Sequence, residues 1–208
     1  MRVLNLYAGV GGNRRLWGED DHITAVEFDP IIAAVYADLY PTDDVVVGDA
    51  HQYLLDNFTE FDFIWSSPPC QSHSRMRYHL QVGVREQAMK FPDMRLYEEI
   101  LLLQHKAEPH QRWVVENVIP WYEPLIPAQK LHRHLYWANF DIPEQPHVHE
   151  NLRAIQIPQL QEMHGIDLSA YRIPNKRQVL RNMVSPKTGL HVRDAAIASM
   201  PIDWRIAL

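Results

Sequence analysis

Leu4-Asn5-Leu6-Tyr7-Ala8-Gly9-Val10-Gly11-Gly12 is an apolar strand that runs into a glycine-rich turn, and Asn13 to Trp17 can open a helix behind it. Glycines at such a turn let a ligand lie against bare backbone, and helix N-terminal amides suit a nucleotide or an amino-acid carboxylate. A tight strand-to-helix turn also needs glycine for conformational reasons alone. A dinucleotide site would need G-x-G-x-x-G, and this turn reads Gly9-Val10-Gly11-Gly12.

The segments that follow supply the missing context. Residues 23–28, 44–47 and 61–66 have the short apolar runs of strands, with a helix at Pro30–Leu39 between the first two. A helix is expected over residues 93–106, with Leu96, Ile100 and Leu103 on one face, then strands at 112–117 and 134–140. Strands alternating with helices are the rhythm of a parallel sheet with crossover helices. Prolines interrupt residues 141–175, which are expected to be irregular, and a helix is expected at 192–200.

Two carboxylates fall where such a sheet would use them. Glu27 ends the second strand, 18 positions beyond Gly9, where an acidic side chain reaches ribose hydroxyls. Asp49 follows the third strand and is placed to accept from an adenine amine. Either alone is more often a solvated loop residue; together with the turn they line one crevice at the carboxyl edge of the sheet.

Cys70 is the single cysteine, so no internal disulfide is available and its reactivity becomes the question. It follows the fourth strand in Ser66-Ser67-Pro68-Pro69-Cys70-Gln71, where paired prolines hold the chain. A lone thiol is ordinarily buried in a core. This one sits in a polar loop close to His73, Arg75 and Arg77, whose charge favours thiolate. Glu116 ends the apolar run Trp113-Val114-Val115; partly dry surroundings there would let it donate a proton near neutral pH.

LYAGVGG, VEFDP (residues 26–30), GDA (48–50), SPPCQ (67–71), PDMRLYEEILLL (92–103) and VVENV (114–118) stand in the order and spacing of the cytosine-5 DNA methyltransferases, and the chain resembles that family over nearly its whole length. The resemblance implies an α/β, Rossmann-like S-adenosylmethionine-dependent methyltransferase fold with a mostly parallel sheet and a short target-recognition insert. It implies that Cys70 adds to cytosine carbon 6, that Glu116 supplies a proton at ring nitrogen 3, and that S-adenosylmethionine gives a methyl group to carbon 5 of a flipped-out base in DNA. Tyr7, Ala8, Gly9, Gly11, Gly12, Glu27, Phe28, Asp49, Ala50 and Pro69 would hold the cofactor. Asn117 would position the Pro68-Pro69 loop. Arg75 and Arg77 belong to a segment resembling the one that closes on nucleic acid, and Arg133 and His134 would meet the base.

The same comparison divides the chain into a catalytic and cofactor-binding part (1–140), a short irregular recognition insert (141–176) and a C-terminal helix returning to the catalytic part (177–208). Three departures stand out. His132-Arg133-His134 replaces the family's R-x-R pair, and histidine lacks the planar fork of arginine. The H-x-H spacing, like His147 and His149, is not expected to bind metal without a cysteine cluster nearby. Residues 192–204 resemble the family's penultimate motif, and no final motif follows, so the cofactor pocket is expected to be open on one side or finished by a second subunit or a self-dimer; Asn182-Met183-Val184 is a candidate substitute.

Length and composition agree with this reading. A chain of 208 residues, 46% hydrophobic with six tryptophans, can bury a full core as one domain with a small appendage. No apolar run nears the roughly 20 residues of a membrane helix, and no leader precedes the first strand, so a cytoplasmic location is expected. Net charge is −6, but residues 151–208 hold eight Lys and Arg against four Asp and Glu, compatible with nucleic-acid contact through a basic tail. A compact phage-like or restriction-modification enzyme is the leading expectation. RNA is the alternative substrate, and a non-catalytic, cofactor-binding partner of a larger methyltransferase is the alternative from another class.

Overall fold

The computed structural model describes residues 1–75, 91–146 and 155–201. Its strands are β1 (Arg2–Leu6), β2 (His22–Glu27), β3 (Asp44–Val47), β4 (Phe63–Ser66), β5 (Arg112–Val118), β6 (Gln129–Leu131) and β7 (His134–Ala138). Its α-helices are α1 (Pro30–Leu39), α2 (Ala50–Asn57), α3 (Arg95–Lys106), α4 (Ile157–His164), α5 (Lys176–Asn182) and α6 (Pro186–Ser199). The strands form one sheet in the order β3-β2-β1-β4-β5-β7-β6. Strands β1 to β5 are parallel, and β7 runs antiparallel to both β5 and β6. This is the Rossmann-like fold of S-adenosylmethionine-dependent methyltransferases, a mostly parallel sheet between helices.

Alternation along the central strands makes two cores. Leu4, Leu6, Ile64 and Val115 face α3, whose Leu96, Ile100 and Leu103 are buried against them. Val3, Phe63, Trp65 and Val114 face the opposite way, onto Val192 and Ala196 of α6. Side chains two apart share a face of a strand, so each strand feeds both layers.

Register brings the site together. Leu6 pairs with Val26 on one side and Ser66 on the other, Ser66 pairs with Val115, and Glu27 pairs with Val47. The parallel strands therefore end at one level, and the residues just beyond them emerge along one carboxyl edge.

The expected strands all occur, with bounds within two residues of expectation. Three stretches differ. The expected helix after the glycine turn is only a 3-10 turn, Asn13–Leu16, because Asn13 is locked to Asn5 and the chain then turns away to bury Trp17 against Phe63 and Trp65. Residues 141–175 were expected to be irregular, yet they contain α4; its Leu160, with Ile166, Leu168 and Ile173, packs on Ile32 and Val35 of α1 and on Val10. Finally, α6 begins at Pro186, six residues before the expected helix start.

Candidate active site

The glycine turn is shaped by close approach. Gly11 has φ +76, and a Cβ there would fall 2.3 Å from the Tyr40 ring. A Cβ on Gly12 would fall 2.6 Å from the Val184 carbonyl oxygen. Gly9, at φ +56, is different: a Cβ there would meet nothing within 4 Å, so its outer face is open. Tyr7 also takes a left-handed conformation, φ 55, and Ala8 is buried with its amide donating to the Val26 carbonyl.

Glu27 lies beside that turn. Its Oε2 accepts from the Gly9 amide and its Oε1 from the Asp29 amide, both at 2.9 Å. Each oxygen keeps a further lone pair for a hydroxyl. The neighbouring Phe28 is 76% exposed, a large ring in water at the rim of the crevice. Asp49 is committed in part: it caps α2 by accepting from the His51 and Gln52 amides, and its Oδ2 pairs with Arg95 at 3.2 Å. Desolvation would raise its pKa, but those amides and Arg95 hold the carboxyl below the usual range. Ala50 is buried in the core beneath. Open backbone at Gly9, two carboxylates and an exposed ring form a donor set that fits a nucleoside bearing an amino-acid tail.

Across β1, the loop after β4 carries the thiol. Pro68 is buried, Pro69 exposed and Cys70 half-buried. Asn117 Nδ2 donates to the Pro68 carbonyl at 2.9 Å, and Asn117 Oδ1 accepts from the Val118 amide. Glu116, 7% exposed at the end of β5, is close enough for its charge to act on Cys70. Burial first, and the Glu116 charge second, push the thiol pKa up. The expectation that nearby cations favour thiolate is thereby corrected. His73 is turned inward, its Nδ1 2.5 Å from the Tyr122 hydroxyl, and burial lowers its pKa. Arg75 spends its Nε on the Pro120 carbonyl, and Arg77 lies outside the described residues.

His132 and Arg133 form the turn between β6 and β7; His132 takes φ 55 with its Nε2 3.2 Å from Gln145 Oε1, and Arg133 is exposed. Only His134 turns to the site, with Nε2 3.6 Å from Glu116 Oε1. His147 and His149 lie outside the described residues, and among those described no group of three His, Cys, Asp or Glu could hold a metal ion.

The segment named as a candidate substitute for the family's final motif lies against the glycine turn. Met183 and Val184 lie against Gly12, and Gly189 of α6 approaches so closely that a Cβ would fall 2.3 Å from the Asn13 carbonyl oxygen. Sequence reasoning missed Glu99, a fully buried carboxylate bonded by Tyr7, Ser66 and His51. A signal for it existed: Glu99 shares the inner stripe of α3 with Leu96 and Leu103.

The model of the C-5 cytosine-specific DNA methylase family matches residues 1–118. A protein of Methanothermobacter thermautotrophicus described as "probable ribosomal RNA small subunit methyltransferase A" is 39% identical over 82 residues, 38% of this chain and 29% of that protein. Among solved structures, the S. pombe Dnmt2 methyltransferase aligns at 23% identity over 60% of this chain and 38% of its own, with a TM-score of 0.42. A TehB-like SAM-dependent methyltransferase from Corynebacterium glutamicum aligns at 16% identity over 59% of this chain and 58% of its own, with a TM-score of 0.37. Fold and family match together mark an S-adenosylmethionine-dependent methyltransferase, and the chain belongs to the C-5 cytosine-specific DNA methylase family.

Proposed function

We propose that this chain methylates carbon 5 of a cytosine in a nucleic acid, with Cys70 as nucleophile and Glu116 as the acid. The observation that carries this reading is the tie between two strand ends: Ser66 pairs with Val115, and Asn117 Nδ2, next to Glu116, donates at 2.9 Å to the carbonyl of Pro68, two residues before Cys70. A stacked base would hide its ring faces, so a base in duplex DNA has to be flipped out to reach them.

The raised thiol pKa gives the pair an order of events. At rest Cys70 holds its proton, because burial and the Glu116 carboxylate both disfavour a second negative charge. When the thiol proton passes through Glu116 to ring nitrogen 3, no second negative charge builds up beside the carboxylate. Cys70 Sγ then bonds to carbon 6, and carbon 5 gains electron density. S-adenosylmethionine, held by the Gly9 turn, Glu27, Phe28 and Asp49, supplies an electrophilic methyl group there when bound. The carbon 5 proton then passes to water, its electron pair re-forms the ring double bond and breaks the carbon–sulfur bond, and the proton on ring nitrogen 3 returns through Glu116 to the expelled thiolate. Asn117 keeps the Pro68-Pro69 loop in place, His134 meets the base beside Glu116, and the exposed Arg133 and Arg75, with Arg77, contact the nucleic acid around it. A cytoplasmic location suits a free thiol nucleophile.

The family description favours DNA as the first substrate to offer. RNA is the second reading, since the matched archaeal relative is described as a ribosomal RNA enzyme. Mechanism-based trapping decides: the protein, S-adenosylmethionine and 5-fluorocytosine oligonucleotides of DNA and RNA are mixed side by side. A covalent adduct that Cys70→Ala abolishes is expected, and the polymer that traps names the substrate. No adduct on either polymer would leave the chain as a cofactor-binding partner of another methyltransferase.

A further inference from the structure

Glu99 takes no part in the chemistry above, yet it is fully buried and bonded to side chains at the ends of two strands and in the first turn of α2. Its Oε1 accepts from the Tyr7 hydroxyl at 2.6 Å and lies 3.0 Å from His51 Nδ1. Its Oε2 accepts from Ser66 Oγ at 2.6 Å. Each partner leads directly into a part of the site. Tyr7 opens the glycine turn and is held at φ 55, a conformation a tyrosine keeps only when its surroundings fix it. His51 stands in the first turn of α2, just after Asp49. Ser66 is the last residue of β4 before Ser67-Pro68-Pro69-Cys70.

Packing does not require a carboxylate here. The surrounding stripe of α3 is apolar, and a buried charge costs more than a hydrocarbon unless every oxygen is satisfied. What the carboxylate adds is direction, because it fixes two hydroxyls and an imidazole in one geometry. We propose that Glu99 is a positioning residue that sets the cofactor turn, through Tyr7, and the nucleophile loop, through Ser66, in fixed register with each other. It thereby couples cofactor affinity to the state of Cys70, and this coupling rests on the reading of Cys70 as nucleophile.

The test uses the full chain with two probes: S-adenosylhomocysteine, followed by calorimetry, and iodoacetamide on Cys70, followed by mass spectrometry. Loss of a buried hydrogen bond to a charged group corresponds to about tenfold in either readout. Glu99→Gln is expected to weaken S-adenosylhomocysteine binding and to speed alkylation of the loosened thiol, each by about that factor. Tyr7→Phe should act mainly on affinity and Ser66→Ala mainly on alkylation. A purely structural Glu99 would lower the unfolding midpoint and leave both readouts within about twofold, which overturns the proposal. Where Glu99→Gln fails to fold, the two single-oxygen deletions decide: if both move the same readout, or neither moves any, the proposal falls. A wild-type chain that forms no adduct with fluorocytosine sinks the base chemistry alone, and calorimetry and alkylation still judge Glu99.

Discussion

Asn117 Nδ2 donates to the Pro68 carbonyl oxygen at 2.9 Å, so the strand end that presents Glu116 is tied to the root of the loop that presents Cys70. Both residues are buried, and no solvent stands ready to replace the bond. Asn117→Ala is therefore expected to cost about 1–3 kcal/mol in a urea titration, the penalty for an unsatisfied buried acceptor. Its adduct formation with fluorocytosine should slow more than its cofactor affinity falls. An Asn117→Ala chain that traps at the wild-type rate would show that the tie does not hold the nucleophile.

The pH dependence of Cys70 alkylation follows from the causes of its shift. Burial and the Glu116 carboxylate both disfavour the thiolate, so the inflection is expected above the ordinary cysteine value. Glu116→Gln removes the like charge, and the inflection should move down in pH while the burial contribution remains. An inflection that rises or stays fixed in that variant would mean that Glu116 does not act on the thiol.

How far the sequence carried can be judged from its prolines and its charges. Strands were legible because each apolar run stops at a marked residue: Gly9 turns the first, and Asp29-Pro30 caps α1, with Asp29 accepting from the Ile31 amide at 2.8 Å. Pro158 was read as an interruption, whereas it stands in the first turn of α4, where its missing N–H costs nothing. Pro186 opens α6 in the same way, which is why that helix begins earlier than its apolar pattern suggested. Cys70 and Glu116 were legible as residues, but not the sign of their interaction. His73 and Arg75 are close to the thiol in sequence and engaged elsewhere in space. No local pattern announces that.

Histidine 51 gives a stability signature. Its hydrogen bond with Glu99 raises its pKa, against burial, with the charges of Glu99 and Glu98 adding and Arg95 opposing. A folded value above the unfolded value of about 6.5 means the contribution is complete below that pH. It is lost as pH rises through the folded value. The urea midpoint should therefore drop on going from about pH 6 toward pH 9, and His51→Asn should flatten that drop. Equal slopes for the two chains would exclude His51 as its source.

Gly189 tests how the chain covers its own glycine turn. A Cβ at this position of α6 would stand 2.3 Å from the carbonyl oxygen of Asn13 and 2.6 Å from its Cα, and neither is a side chain that can rotate away. Gly189→Ala must push α6 off the turn, an overpacking cost of about 1–3 kcal/mol. In a chain of this size that corresponds to a midpoint lower by roughly 2–10 °C. Because Asn13 sits under this helix and Gly12 under Met183 and Val184 just before it, S-adenosylhomocysteine binding should weaken as well. Gly165→Ala provides the contrast: its φ is +60 but a Cβ there meets nothing within 4 Å, so it strains the end of α4, which meets the turn through Ile166 on Val10 and Arg15 Nε on the Gly165 carbonyl, without crowding the turn's backbone. If both variants lose stability and only Gly189→Ala loses affinity, α6 acts as the inner wall of the cofactor site. If affinity survives in Gly189→Ala, the wall is formed by Met183 and Val184 alone.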